Sequence, residues 1–162
     1  MRQIGQSGVE FQKGILPMKI AISLWEEKIS PLFDTSSRLL ILEIEGGKEL
    51  SRFEAYPGKL DMYARSLLLQ DLGVEILICG AISRPFYSML SNVAKISVVP
   101  WVSGSLDEVV NAFKKGTLYR QKFLMPGCCW QREESGKIRA LPRVQRSSKK
   151  RNRSINKRGG NI

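Results

Sequence analysis

The chain has 162 residues, with 26 Lys and Arg against 15 Asp and Glu, no His, three Cys and 43% hydrophobic residues. That length suits one domain with something appended. The absence of His excludes Ser-His-Asp and Cys-His catalysis and imidazole metal ligation, each of which needs a group that titrates or coordinates near neutrality. The apolar content is too high for a disordered chain, and no apolar run approaches the roughly 20 residues that cross a bilayer. A soluble, cytoplasmic protein without membrane contact is expected. The cysteine count is odd and the first residues lack the apolar core of a secretory signal, so reduced thiols are expected rather than disulfides.

Charge is unevenly placed. Residues 131–162 hold eleven Lys or Arg and two Glu, a net of +9, whereas residues 18–130 hold thirteen bases and twelve acids. The basic segment has almost nothing apolar to offset the roughly 1–2 kcal/mol of backbone entropy lost per ordered residue, so residues 131–162 are expected to form a disordered basic tail. Such a tail either attracts nucleic acid, anionic lipid or an acidic protein partner through a salt-sensitive field, or simply solvates the chain. Residues 1–17 show no clear period and read as a flexible arm or as a start assigned too early, with Met18 opening the domain, expected at 18–130.

In chain order, Met18–Leu24 is an apolar run of strand length, and Arg38–Glu45 ends in alternation before Gly46-Gly47, which implies a hairpin returning over Leu50–Tyr56. Leu60, Ala64, Leu67, Leu68 and Leu72 recur at helical spacing with Gly73 placed to end the helix. Glu75–Gly80 is a strand apolar enough to be buried on both faces. Ser83 and Pro85 then start a helix with Phe86, Leu90 and Val93 facing inward, and Ile96–Pro100 is the last strand. Ser105 and Glu108 form a capping box for a final helix that buries Leu106, Val109, Val110 and Phe113 and stops at Gly116. Strands joined through helices at short spacing indicate right-handed crossovers, giving an α/β layer structure with an N-terminal hairpin on a mostly parallel sheet.

In such sheets ligands bind beyond the carboxyl ends of parallel strands. Residues 25–34, Cys79–Pro85 and Trp101–Ser105 should converge there, where two helix N-termini and Arg84 would form an anion-friendly rim, with ordinary capping as the plainer role of Ser83 and Ser105. Neither a Gly-x-Gly-x-x-Gly fingerprint nor a Walker-type phosphate loop is present, which gives no support to a nucleotide site. Asp34, Glu43, Asp61 and Asp107 fall on separate segments, which gives no reason to expect a two-metal pair about 4 Å apart. Soft thiolates suit iron-sulfur clusters, zinc or copper(I), yet three thiols do not fill a four-ligand site within one chain. Cys79 reads as a small buried apolar residue or as a ligand, and Cys128-Cys129 as an exposed oxidisable pair or as ligands.

The pattern Met18-Lys19-Ile20-Ala21-Ile22, Ile29-Ser30-Pro31-Leu32-Phe33-Asp34, Gly73 through Ser83, and Gly104 before a helix ending at Gly116-Thr117-Leu118 resembles the dinitrogenase iron-molybdenum cofactor biosynthesis family, which includes NifX-type proteins and the carboxy-terminal domain of NifB. The likeness spans about residues 18–129, and Cys79–Pro85 with Phe123–Cys129 resembles one subgroup in particular. It implies a three-layer α/β/α ribonuclease H-like fold with a five-stranded mixed sheet. It also implies a carrier rather than an enzyme: a protein that binds iron-sulfur or iron-molybdenum cluster precursors and passes them to metallocluster assembly proteins. On that reading Cys79, Cys128 and Cys129 are the candidate metal ligands and Ser83, Arg84 and Ser105 the polar rim. Many members have a His where this chain has Leu32, so ligation here would be incomplete or shared across a homodimer. The alternatives are a regulatory or nucleic-acid-associated module acting through the basic tail, and a small metal-dependent hydrolase on the same scaffold.

Overall fold

A computed structural model describes residues 17–132 and 138–142. The first strand, β1 (Met18–Trp25), turns sharply through Glu26 into the two-residue β2 (Lys28–Ile29), which pairs back on it. A 3-10 turn at Phe33–Thr35 precedes β3 (Arg38–Glu45) and β4 (Lys48–Ala55). These two strands form the expected hairpin, and Gly46 and Gly47, with φ of 57° and 79°, supply the two left-handed residues that a tight turn matching strand twist requires. Next come helix α1 (Met62–Asp71), β5 (Ile76–Ile78), α2 (Arg84–Ser88) with a π-helical turn at Met89–Val93, β6 (Ser97–Val99) and α3 (Leu106–Lys115). A separate two-stranded sheet, β7 (Cys128–Arg132) with β8 (Ile138–Pro142), follows.

The main sheet runs β4-β3-β1-β5-β6, with β2 attached to β1. Strand β1 is antiparallel to β3 and parallel to β5, which is parallel to β6, so the sheet is mixed as expected and gains β2 as a sixth strand. Alternation along β1 divides the core in two. Ile20, Ile22 and Leu24 face α3, packing with Leu40, Leu42, Ile78, Val109 and Val110. Ala21 faces the other way, with Leu39, Ile41 and Leu77, against Leu69 of α1, Phe86 of α2 and Leu90 of the π-helical turn. Helices on both faces of one sheet make the α/β/α layering.

Three local expectations are corrected. In α1 the buried face is Arg65, Ser66 and Leu69, while Leu60 and Leu67 of the expected stripe are exposed. The inward face is set by the Arg65 guanidinium, which donates to the carbonyls of Phe33, Ser36 and Gly58 and so gives a polar side chain a reason to be inside. In the second helix the π-turn widens the last turn, so that Ala94 is buried in place of Val93, which is 65% exposed. Finally, the β7–β8 ladder crosses the expected domain end at 130 and takes residues 138–142 into regular structure, which disorder from residue 131 did not anticipate. Residues 1–16 and 143–162, where the arm and most of the tail were expected, lie outside the described residues.

Candidate functional site

The carboxyl ends of β1, β5 and β6 do converge, and the chain itself fills much of the space between them. After β2, the Ser30–Phe33 segment runs alongside residues 80–82 like an extra length of parallel strand: the Ala81 amide donates to the Pro31 carbonyl at 2.9 Å and the Phe33 amide to the Ala81 carbonyl at 2.8 Å. Gly80 permits this approach, since a Cβ there would lie 2.5 Å from the Ser30 carbonyl oxygen and 2.7 Å from that of Pro31. On the other side, the β1–β2 hairpin reaches α3. The Ile29 amide donates to the Gly104 carbonyl and the Leu106 amide to that of Glu27, at 3.1 and 2.9 Å.

Both helix N-termini of the expected anion rim are consequently engaged. Ser105 caps α3 as expected, its hydroxyl accepting from the Glu108 amide at 3.4 Å. Ser83 occupies the cap position of α2, yet its side chain makes no capping bond. A carboxylate from another segment acts there instead: Asp34 Oδ1 accepts from the Ser83 amide at 2.9 Å. An anion is favoured at a helix N-terminus, and the chain provides its own. Asp34 was legible only as one carboxylate among several, because the 49 residues separating the partners hide the pairing. Arg84 is exposed and forms no ion pair among the described residues.

The three cysteines are distributed unequally. Cys79 is fully buried in the cluster that holds Phe33 and Phe86 on the α1–α2 side of the sheet, and burial, followed by the nearby charge of Asp34, pushes its thiol pKa up, so it is held as the thiol. This is its buried-apolar role. Further on, the Ser103 amide donates to the Phe123 carbonyl and the Met125 amide to that of Trp101, which sews the segment after α3 to the end of β6. That seam carries Cys128 into a small cluster with Leu124, Trp101 and Met125, where burial, then its neighbour Cys129, pushes its thiol pKa up as well. Trp101 holds a left-handed backbone, φ 66°, which a bulky residue rarely adopts and which aims its ring at this cluster. Cys129, the next residue of β7, is half-buried, and strand alternation turns it away from Cys128.

No group of three or more His, Cys, Asp or Glu able to hold a metal ion occurs among the described residues. As ligands of a permanently bound cluster the donors do not fit: Cys79 is closed in the core, Cys128 is packed against Trp101, and Leu32 is an exposed aliphatic residue without a donor atom in its side chain. Leu32 lies in an open groove of about 370 Å³ with Trp25, Ser30, Thr35 and Ser36. The Ser30 and Thr35 hydroxyls both donate to the Leu32 carbonyl, and that of Ser36 to the carbonyls of Leu24 and Arg38, so these three hydroxyls are committed to shaping the loop. Arg65, 3% exposed, grips the same loop from below with its ring-stacked guanidinium 5.7 Å from the Phe33 centroid. The sequence offered no signal for that role beyond a cation inside an apolar helix.

Among the described residues no helix is long and apolar enough to cross a membrane. No curated protein matches the chain in sequence. Among solved structures, a provisionally assigned dinitrogenase from Methanocaldococcus jannaschii is 24% identical, with 64% of this chain and 93% of that chain covered at a TM-score of 0.54. The apo form of the orange protein from Desulfovibrio gigas is 15% identical, with 62% and 89% covered and a TM-score of 0.52. At these identities the likeness is one of fold. The family model described as dinitrogenase iron-molybdenum cofactor matches residues 17–116, a span that takes in the whole main sheet and its three helices. By that match, over more than half of its length, this chain belongs to the dinitrogenase iron-molybdenum cofactor family.

Proposed function

We propose that the protein is a non-catalytic carrier that binds an iron-sulfur or iron-molybdenum cluster precursor as cargo and hands it to metallocluster assembly proteins. Family membership supports the cargo class, and one observation supports the manner of holding it: of the three thiols, only Cys129 is outside the buried set. One accessible thiolate per chain is a poor permanent ligand set and a workable transient one, because a cluster retained by a single thiolate exchanges readily with a partner offering more. A second copy of the chain would supply a second Cys129. Arg84, exposed near the carboxyl end of β5, offsets the negative charge of such cargo, whereas Ser83 and Ser105 act through the backbone that they terminate.

The test is anaerobic purification of the full chain, followed by iron, molybdenum and sulfide analysis and visible absorption before and after cluster reconstitution. Wild type is expected to take up fewer than one cluster per chain, Cys129→Ser none, and Cys79→Ala as much as wild type. A wild type that remains colourless after reconstitution overturns the carrier reading. Uptake unchanged in Cys129→Ser overturns the assignment of the thiol.

A further inference from the structure

Between α3 and the segment that follows it lies a second cleft, of about 330 Å³, which the cluster reading does not use. Lys115 from the end of α3 and Arg120 and Lys122 from the following loop line it, together with Asn111, the edge of Phe123 and a single acid, Glu108. Glu108 is seven residues before Lys115, about 10 Å along the helix axis, which leaves the Lys115 end without an opposing carboxylate. None of the described ion pairs involves Lys115, Arg120 or Lys122, whereas neighbouring Lys114 is paired with Glu49. The three free cations are held by the fold: Lys122 Nζ sits 4.9 Å from the Phe123 ring centroid, and Gln121 Nε2 donates to the Cys128 carbonyl at 3.3 Å, pinning the loop that carries Arg120.

The charge of the whole chain follows the same division. Residues 18–108 hold nine bases and twelve acids, residues 109–132 hold five bases and no acid, and residues 143–162 hold eight bases and no acid. The excess of bases therefore begins within the folded domain, at the cleft. Tyr119, 60% exposed, stands next to Arg120, and every other exposed residue from 109 to 124 is polar, charged or Gly. A lipid surface would ask for an exposed aliphatic anchor, and this face has none. A nucleic-acid strand asks for cations along its phosphates and an aromatic ring on which a base can stack, and the segment 117–122 after α3 carries both.

We infer that the Lys115–Arg120–Lys122 cleft is a binding site for the phosphate backbone of single-stranded nucleic acid, with Tyr119 as a stacking platform. Recognition is independent of base sequence, because the cleft offers charge and a ring face but no arrangement of donors and acceptors for base edges.

The experiment is fluorescence anisotropy of a labelled mixed-sequence DNA single strand titrated with the full chain across a salt series. Replacing Lys115, Arg120 and Lys122 together by Ala removes three phosphate contacts, which is expected to lower the slope of log K against log salt by about 2 and to weaken binding roughly 100-fold near 0.1 M salt. Tyr119→Ala is expected to weaken the single strand roughly ten-fold and leave a duplex of the same sequence unaffected. All three cations are exposed, so the variant should melt with wild type, which separates lost binding from lost folding. Binding by the triple variant equal to wild type would place the affinity in residues 143–162 and overturn the site. Binding of wild type to anionic vesicles but not to the strand would overturn the ligand class.

Discussion

A single methyl group at Gly80 would separate two segments that the candidate site needs together. The atoms it would meet, the carbonyls of Ser30 and Pro31, belong to backbone held by the Ala81–Pro31 and Phe33–Ala81 hydrogen bonds, so they cannot retreat without breaking them. Gly80→Ala is expected to cost about 3 kcal/mol, the upper range for forced overpacking, measured as a lower midpoint in urea. A midpoint within error of wild type would mean that the Ser30–Phe33 segment does not hold this position in solution. The same scale explains why thiol chemistry is unequal. Cysteines 79, 128 and 129 differ little as letters, and the difference among them is burial, which disfavours the thiolate at the first two.

At the scale of elements, β4 is an edge strand with little cover, as the exposure of Leu50 and Phe53 shows. Its outward charges discourage pairing with another sheet, and one of them also fastens it to the core layer. Glu49 accepts from Arg52 Nε at 2.7 Å along its own strand and from Lys114 Nζ at 3.2 Å across to α3. The Arg52 hydrogen bonds first, then that of Lys114, hold its pKa at about 2, below the ordinary 4.5. A depressed carboxylate contributes stability above its unfolded pKa that is lost as pH falls through the folded one. The stability gap between wild type and Glu49→Gln is therefore expected to be constant above about pH 5 and to close between roughly pH 4.5 and pH 2, followed by urea titration across that range. A gap that persists unchanged at pH 2 would show that the carboxylate's charge is not what ties β4 to α3. α1 shows how an element's orientation is decided elsewhere. A cation that satisfies three carbonyls of other segments rotates the helix so that Tyr63 and Leu67 face outward.

Taken whole, the main sheet has two apolar faces, and β1, β3 and β5 contribute to both. Leu69→Ala on the α1 side and Val109→Ala on the α3 side empty different clusters, yet both clusters include residues of β1, β3 and β5. Each is expected to lower stability by about 2–4 kcal/mol while far-UV circular dichroism and tryptophan fluorescence still report one coincident transition. Separate transitions would show that the two layers fold independently.

The sequence by itself determined five strands of the main sheet, their hairpin, the capped final helix, the alternating β and α order and hence the layered class, though not β2, β7 or β8. These follow from local periodicity, glycine turns and caps, whose partners lie within a few residues. It also displayed the lopsided charge and the family's motifs. Only the tertiary structure decided which side chains the loops bring together. Asp34 meeting the Ser83 amide at the start of α2, Arg65 turned inward against Phe33, Cys79 and Cys128 withdrawn from solvent, and the cations of one cleft gathered from a helix end and a loop all depend on contacts between segments. A pattern of residue types records which groups a chain possesses. Whether a carboxylate meets an amide 49 residues away, or a thiol meets water, is settled by packing, because burial and hydrogen-bond satisfaction are properties of the folded surroundings and not of the residue.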